Sequence, residues 1–244
     1  AAGEYKEDPT DSEEGEKPMK VRSKGKVSRE ERDSHELTHT PFRWWCRHCV
    51  HGRGRNKAHR RKAKIEESQE KRKQTPRVCM DYFFGSQVDE EAKTNPLVVM
   101  VDEVTGEKYA RAVGRKGLGA QGEVDWLVKD MSDELKGWGH QGGAGGKIIL
   151  KCDGEVAIKT VRDAVGKYHG GIVIPEQPAK NESQSNGVVE ESVKTVRGYA
   201  RVLKDQVEHN IAGTLSSGAP IMMWLIRWAA MLPSRYLKGK DGCT

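Results

Sequence analysis

The chain has 244 residues, of which 35% are hydrophobic and 32% are charged, and its mean hydropathy is −0.77. This composition is too polar for a single compact globule of that length, so we expect part of the chain to remain unpacked. The net charge of +6 makes a polyanion a reasonable partner, whereas five cysteines, an odd number that includes one CxxC, argue against a secreted disulfide framework.

The first segment, residues 1–33, is rich in Glu, Lys, Asp, Ser and Gly and has almost no large apolar side chains. Such a segment buries too little apolar surface to offset the entropy lost on ordering, so it is predicted to be a disordered tail. It contains no apolar stretch of the secretory type, and the chain does not begin with Met. We therefore expect the sequence to be a piece of a longer polyprotein or of a truncated gene product. The ordered part is expected to begin at about Ser34.

The second segment, residues 34–52, contains an HxxxH and a CxxC pair with workable spacing for a tetrahedral zinc site. The predicted ligands are His35, His39, Cys46 and Cys49. Three further histidines nearby are competing ligands, namely His48, His51 and His59. Only six residues separate the second histidine from the first cysteine, which favours a minimal zinc knuckle.

The third segment, residues 53–77, is a basic run interrupted by a few glutamates. We interpret it as a linker that contacts nucleic-acid phosphates or directs nuclear import, with a partly helical, solvated linker as the alternative. The arginines predicted to bind nucleic acid are Arg53, Arg55, Arg60 and Arg61.

The remaining segment, residues 78–240, is predicted to be one catalytic core. Its hydrophobic periodicity indicates five strands and four helices in the order β-β-β-α-β-α-β-α-α. Three strands in an antiparallel meander followed by alternating αβ units predict an α/β fold with a mixed five-stranded sheet flanked by helices. The expected strands are 78–84, 97–104, 108–113, 147–152 and 171–174, and the expected helices are 123–138, 157–168, 188–211 and 220–237.

The last of these helices begins with an apolar stretch, residues 219–232, which is too short to cross a bilayer and carries Arg227. It is therefore interpreted as a buried or interface helix. We expect it to break or kink at Pro233, because proline lacks the backbone N–H that an α-helix needs.

Three acidic residues lie at positions where a carboxylate is costly or unusual. Asp81 lies within the first predicted strand, Asp153 at the end of the fourth, and Glu190 at the start of the long helix. A carboxylate in an apolar strand loses hydration unless something pairs with it, and a divalent cation is an obvious partner. Two such ions can activate a nucleophile and stabilise a leaving oxygen in phosphoryl transfer.

The order and spacing of these acids resemble the D-D-E triad of retroviral and retrotransposon integrases. The interval between Asp153 and Glu190 contains 36 residues, and the string SQSNGVVE at 183–190 resembles the loop and helix start that carry the last acid. The zinc motif is similar to the HHCC domain of that family, and its surroundings, TPFRWWC and CVHGRGR, resemble copia-type elements. The resemblance covers roughly residues 35–240.

The resemblance implies an RNase H-like fold and DNA integration by polynucleotidyl transfer, in which two Mg²⁺ or Mn²⁺ ions are held by Asp81, Asp153 and Glu190. It also implies a Zn²⁺ site in the HHCC motif, DNA as element ends and target, and a homo-oligomer. Neither a membrane role nor a dinucleotide cofactor is expected, although a GxGxxG string occurs at 117–122, because no parallel βαβ start is evident. The expected location is the nucleus, after synthesis in the cytoplasm.

Two features near the acids leave alternatives open. Glu190, Lys194 and Arg197 share one helical face, which suits a metal site beside DNA phosphates, or simple Glu–Lys pairing on a solvated helix. Gly154 replaces the Asn common in the family, and the following Glu155 could act as an outer or spurious metal ligand. Cys79 and Cys152 flank the two strand acids and are interpreted as buried core residues.

Three other functions compete with integration. A related nuclease or transposase would use the same triad to cut DNA without joining it. An inactive or domesticated fragment would bind nucleic acid through zinc and basic residues. An interaction domain would carry these acids incidentally.

Overall fold

The computed structural model describes residues 27–53, 75–119, 125–143, 146–177 and 187–237. Within these ranges lie five strands and seven helices. The strands are β1 (Arg77–Phe84), β2 (Pro96–Asp102), β3 (Lys108–Ala112), β4 (Lys147–Cys152) and β5 (Ile172–Glu176). The helices are α1 (Arg29–Thr38), α2 (Arg47–Arg53), α3 (Gln87–Ala92), α4 (Asp125–Gly137), α5 (Val156–His169), α6 (Gly187–Ile211) and α7 (Pro220–Tyr236).

The five strands form one mixed sheet in the order β3-β2-β1-β4-β5. β1, β2 and β3 pair antiparallel as a meander, and β4 and β5 continue the sheet parallel to β1. Parallel neighbours require a crossover, and α5 supplies it between β4 and β5. The predicted α/β fold is confirmed, and this strand order with helices on both faces is the RNase H-like arrangement.

Side-chain alternation along β1 divides the core into two layers. Met80 and Tyr82 point into a cluster with the buried sides of α4 and α5. Cys79 and Phe83 point to the opposite face, into a cluster with α6 and α7. Asp81 lies between Cys79 and Phe83 in sequence, so its side chain belongs to the α6 face of the sheet.

Helix α1 begins at Arg29, inside the segment that the sequence analysis assigned to the disordered tail. The cause is local, because the Ser28 hydroxyl accepts a hydrogen bond from the Glu31 N–H at 3.0 Å and caps the helix. Ser86 caps the short α3 in the same way, and that helix was not predicted. Residues 1–26, which make up most of the predicted tail, lie outside the described residues.

Of the predicted break or kink at Pro233, the break was wrong, since α7 continues through this residue to Tyr236. Pro233 and the preceding Leu232 are both buried, and this packing stabilises the last turn despite the missing N–H. Leu237 is the residue that ends the helix, and its N–H donates a hydrogen bond to the Pro233 carbonyl. Among the helices that the structure describes, none is long and apolar enough to span a bilayer.

Candidate functional site

Asp81 and Asp153 are brought side by side by the parallel pairing of β1 and β4. The register pairs Met80 with Cys152, and the next residue along each strand direction is an aspartate. Neighbouring strands lie about 4.8 Å apart, and residues in register point to the same face of a sheet. The two carboxylates therefore adjoin one another at the centre of the sheet, with Asp81 inside β1 and Asp153 directly after the end of β4.

The electrostatics of Asp81 agree with this placement. Burial, and then the charge of Asp153, raise the pKa of Asp81 from 3.8 to about 6, although its carboxylate accepts a hydrogen bond from the Tyr82 N–H at 2.7 Å. The charge of Glu155 raises the pKa further, and Lys116 lowers it. Two adjoining carboxylates that resist ionising together are the arrangement that a divalent cation relieves.

A lysine and a glutamate, Lys116 and Glu155, form an ion pair beside the two aspartates. The Glu155 N–H donates to Asp153 Oδ1 at 2.9 Å, which orients that carboxylate. Lys116 Nζ donates to both carboxylate oxygens of Glu155, at 3.0 and 2.9 Å. The same ammonium lies 5.4 Å from the ring centroids of Tyr82 and Phe84. Lys116 was not predicted as a site residue. Its partner Glu155 lies 39 residues further along the chain, and only the fold brings the two side chains together.

The loop after β3 holds Lys116 in place through the glycine that follows it. Gly117 has φ of +84°, which favours glycine, and its N–H donates to the buried Tyr82 hydroxyl at 3.0 Å. A Cβ on Gly117 would meet Ala157 at the start of α5 at 3.7 Å. Gly117 therefore closes the loop onto α5, whereas Gly122 of the GxGxxG string lies outside the described residues.

Glu190 lies in the first turn of α6 and is exposed. Its neighbours Val189 and Val193 belong to the same hydrophobic cluster as Cys79 and Phe83, so α6 packs on the face that carries Asp81. In the described parts of the chain, no hydrogen bond or ion pair joins Glu190 to either aspartate. The acids also form no ligand group of the kind described below for histidine and cysteine. The D-D-E triad, including the place of Glu190 in it, therefore stays a prediction.

The two basic residues predicted beside Glu190 differ in their surroundings. Lys194 is exposed on α6. Arg197 is half-buried, donates from Nε to the Phe84 carbonyl at 2.8 Å, and lies over the Phe83 ring at 5.6 Å. Arg197 therefore attaches α6 to the end of β1, a structural contact that the helical-face argument did not predict.

The HxxxH and CxxC residues converge on one point. Their ligand atoms all lie within 4.8 Å of one another, and all four side chains are buried. Cys49 Sγ lies 3.3 Å from His35 Nε2 and 3.8 Å from His39 Nδ1, and Cys46 Sγ lies 3.5 Å from His39 Nδ1. A tetrahedral Zn²⁺ with ordinary bond lengths separates sulfur and nitrogen ligands by about 3.5 Å. The four predicted ligands thus form a His₂Cys₂ group compatible with zinc.

The pKa shifts of the two histidines suit a metal, whereas the Cys49 thiol must lose its proton to bind one. Burial, followed by the charges of His39 and Arg43, lowers the pKa of His35 to about 4, so its imidazole is neutral at pH 7. Burial likewise lowers the pKa of His39 and raises that of Cys49 to about 11 in the metal-free protein. A buried thiol with a high pKa loses its proton when a metal binds, which makes affinity depend on pH.

The histidines considered as competing ligands point elsewhere. His48 Nδ1 lies 2.5 Å from Asp205 Oδ2 on α6, and His51 Nδ1 lies 3.5 Å from Asp205 Oδ1. Neither belongs to the His₂Cys₂ group. His59 lies outside the described residues, as do Arg55, Arg60 and Arg61.

The zinc motif is packed against α6. Gly52 faces Val202 so closely that a Cβ on the glycine would lie 2.7 Å from the Val202 backbone nitrogen. The Arg53 guanidinium lies 3.9 Å from the centre of the Tyr199 ring, and the Thr40 hydroxyl donates to the Tyr199 hydroxyl at 3.2 Å. Arg53 lies in this internal interface, and its predicted role in binding nucleic acid stays a prediction. α6 therefore carries Glu190 near its start and supports the zinc motif further along.

The remaining polar and thiol groups in the core have structural contacts. Cys79 and Cys152 are buried and free, as predicted. Asp102, which the sequence analysis did not single out, accepts hydrogen bonds from His140 Nε2 at 2.7 Å and from Val104 and Thr105 N–H groups. Burial raises the pKa of Asp102, but these bonds outweigh it and lower the pKa overall. Asp102 therefore stabilises the turn between β2 and β3.

No family model and no curated protein matches this chain. Among solved structures, it is similar to the HTLV-2 integrase catalytic core domain in complex with magnesium. The trimeric form aligns at a TM-score of 0.42 with 12% identity, and the dimeric form at 0.40 with 13% identity. Both alignments cover 69% of this chain and 91% of the other. An intasome of simian T-cell lymphotropic virus in complex with PP2A regulatory subunit B56 gamma aligns at 0.38 with 12% identity, covering 69% and 52%. The strand order and helix placement described above define the fold independently of these similarities.

Proposed function

We propose that this chain is the integrase segment of a copia-type retrotransposon polyprotein, and that it joins the 3′ ends of element DNA to target DNA. The observation that carries this proposal is the side-by-side placement of Asp81, within β1, and Asp153, directly after β4, on two parallel neighbouring strands. The His₂Cys₂ group packed on α6 is the second support, because the proposed family carries a zinc motif before its catalytic core.

In such a reaction, the acidic residues would bind the metal ions and backbone N–H groups would orient the two aspartates. Asp81 and Asp153 would hold Mg²⁺ or Mn²⁺ between them, and Glu190 would complete a second ion site from the first turn of α6. When bound, the ions supply activation of the attacking hydroxyl and stabilisation of the leaving oxygen. The Glu155 N–H keeps Asp153 oriented, and the Tyr82 N–H does the same for Asp81. Pre-oriented ligands lower the entropy that metal binding costs.

The proposed reaction is a direct displacement at phosphorus. The 3′-hydroxyl oxygen of the element end forms a new bond to a target phosphorus and loses its proton to solvent. The bond from that phosphorus to the target 3′ oxygen breaks, and the target strand leaves with a free 3′-hydroxyl. No covalent bond to the protein is needed, so the site requires no nucleophilic side chain.

DNA and a second copy of the chain are the proposed partners. Lys194 is exposed on the helix that carries Glu190 and would contact backbone phosphate there. The basic segment after α2 would add nonspecific affinity and support nuclear import. Because joining two ends requires two active sites, we propose that the working form is a homo-oligomer.

A second candidate function is nucleic-acid binding by a fragment that has lost catalysis. The observation in its favour is the arrangement of acids, since Glu190 makes no described contact with the aspartates while Glu155 is paired with Lys116. A protein that binds DNA but holds no divalent ion at the aspartates would behave in this way.

The test is a strand-transfer assay with zinc-loaded protein, a labelled blunt duplex, a plasmid target and Mn²⁺. We expect joined products from the wild-type protein and none from Asp81→Asn, Asp153→Asn or Glu190→Gln. Asp133→Asn, which removes an exposed acid of α4, is the matched control and keeps full activity. Cleavage without joining would favour a nuclease, and DNA binding without either reaction would favour the second candidate. Joined products that persist in Asp81→Asn would refute the proposed site.

A further inference from the structure

The ion pair between Lys116 and Glu155 occupies the side of the aspartate pair opposite α6. Glu155 immediately precedes α5, and α5 packs on the sheet face opposite to the one that carries Asp81. The ammonium of Lys116 extends over the end of β1, close to the rings of Tyr82 and Phe84. Because the Glu155 N–H also bonds to the Asp153 carboxylate, the pair lies beside the proposed active site, and about a third of each side chain is exposed (31% and 35%).

We propose that this pair is an exchangeable gate, in which Glu155 leaves Lys116 to become an additional ligand of the divalent ion and Lys116 turns to a DNA phosphate. This inference rests on the proposed function. It assigns Glu155 to the metal and Lys116 to the nucleic acid, roles that neither residue has in the D-D-E triad.

The position of Glu155 suits a ligand. Its backbone N–H already bonds to the carboxylate of Asp153, so the two acids share one turn, and the charge of Glu155 reaches Asp81. Its side chain makes no capping bond to α5, although it precedes the helix, so helix capping does not account for it. Its two carboxylate oxygens are occupied only by Lys116 among the described hydrogen bonds. A partner exchange thus frees both oxygens for a metal, which prefers such ligands.

The position of Lys116 suits a phosphate. Its ammonium lies 5.4 Å from the ring centroids of Tyr82 and Phe84, on the strand that carries Asp81, and bonds to the residue two positions after Asp153. A phosphate bound beside the aspartates would therefore come close to this cation. The lysine stem is flexible and its head group is a compact charge that can change partners without rearranging the backbone. A partly exposed ion pair contributes little to stability, so opening it costs little compared with the contacts that replace it.

The gate predicts opposite effects of one substitution on metal and on DNA. Lys116→Met removes the competitor of the metal for Glu155, so Mn²⁺ binding measured by calorimetry on zinc-loaded protein should tighten by about threefold or more. The same variant should weaken binding of a DNA duplex in Ca²⁺ and lower the salt slope of its affinity by about one. Lys116→Arg should keep the DNA affinity, and Glu155→Gln should weaken Mn²⁺ binding by about tenfold.

Matched controls separate this gate from a structural ion pair. Lys136→Met opens the exposed Lys136–Asp133 pair on α4 and should change neither affinity. If Lys116→Met and Glu155→Gln behave like this control while Asp81→Asn abolishes Mn²⁺ binding, the gate is refuted and the metal site stands. If Asp81→Asn leaves Mn²⁺ binding unchanged, the proposed function fails first. If Lys116→Met does not fold, as judged by circular dichroism, the Mn²⁺ affinity of Glu155→Gln decides.

Discussion

The contact between Gly52 and Val202 determines whether the helix α2 of the His₂Cys₂ motif can stay packed against α6. Gly52 lies in α2, and a Cβ at this position would lie 2.7 Å from the nitrogen and 3.0 Å from the Cα of Val202. These are backbone atoms of the long helix α6, so they cannot move aside as a flexible side chain would. Replacing Gly52 with Ala must therefore push α2 away from α6.

The size of this effect follows from what the movement disrupts. Overpacking at a buried contact costs about 1–3 kcal/mol. Displacing α2 also weakens the bond between His48 and Asp205, and that between Thr40 and the Tyr199 hydroxyl, each of which contributes about 1 kcal/mol. We expect Gly52→Ala to lower the free energy of unfolding by about 2–4 kcal/mol, which for a chain of this size is roughly 5–10 °C in Tm.

The assay is guanidinium and thermal unfolding of zinc-loaded protein, followed by circular dichroism. Gly137→Ala is the matched control, because this glycine ends helix α4 and nothing lies within 4 Å of an added Cβ. It should be neutral or stabilise the protein by up to about 1 kcal/mol, since alanine favours helix. A Gly52→Ala protein within about 0.5 kcal/mol of the wild type would refute the packing of α2 on α6. Repeating both measurements with chelator should shrink the Gly52→Ala effect, if zinc holds the motif in its docked form.

Three further predictions concern the sites themselves. Because folding raises the pKa of Asp81 to about 6, the metal-free protein binds a proton there more readily than the unfolded chain and loses stability as the pH rises from about 4 to above 6. In EDTA, Asp81→Asn should therefore raise the free energy of unfolding by about 2–3 kcal/mol at pH 7.5 and leave it unchanged below pH 4, as measured by chemical denaturation. An equal increase at both pH values would contradict this. Cys49→Ser should lose zinc, measured by metal content, and lower the Tm; full zinc occupancy in the variant would contradict the ligand set. Arg197→Ala should lower the free energy of unfolding by about 1.5–3 kcal/mol through its lost bond to Phe84, whereas Lys194→Ala should weaken DNA binding without changing stability. The reverse pattern, in which Arg197→Ala weakens DNA binding and leaves stability unchanged, would support the predicted DNA contact of Arg197.

The sequence predicted the positions of Asp81 and Asp153 within their own strands, but not their contact with each other. The apolar run that precedes Asp153 identified a strand end, and the structure confirms β4 over the predicted residues. That Asp153 adjoins Asp81 depends on the parallel pairing of β4 with β1, a long-range register that no local pattern specifies. Lys116 was not predicted either, because no sequence feature distinguishes a lysine of a glycine-rich loop that forms an ion pair from one that is solvated.

Local chemistry determined what each segment of this protein is, and tertiary packing determined what its polar side chains contact. Hydrophobic periodicity was enough for the five strands and the four longer helices of the core, although it missed the short α3. Ligand spacing was enough for the His₂Cys₂ group, because it depends on residues close in sequence. Capping by Ser28 starts a helix at Arg29, before the predicted ordered start near Ser34, and burial carries α7 through Pro233, since a few hydrogen bonds and contacts outweigh weak propensities. His48 and Asp205 are 157 residues apart in the chain, and their contact exists only because α2 and α6 meet. The use of Arg53 and Arg197 as internal anchors likewise follows from helix packing, which the sequence does not specify without the fold.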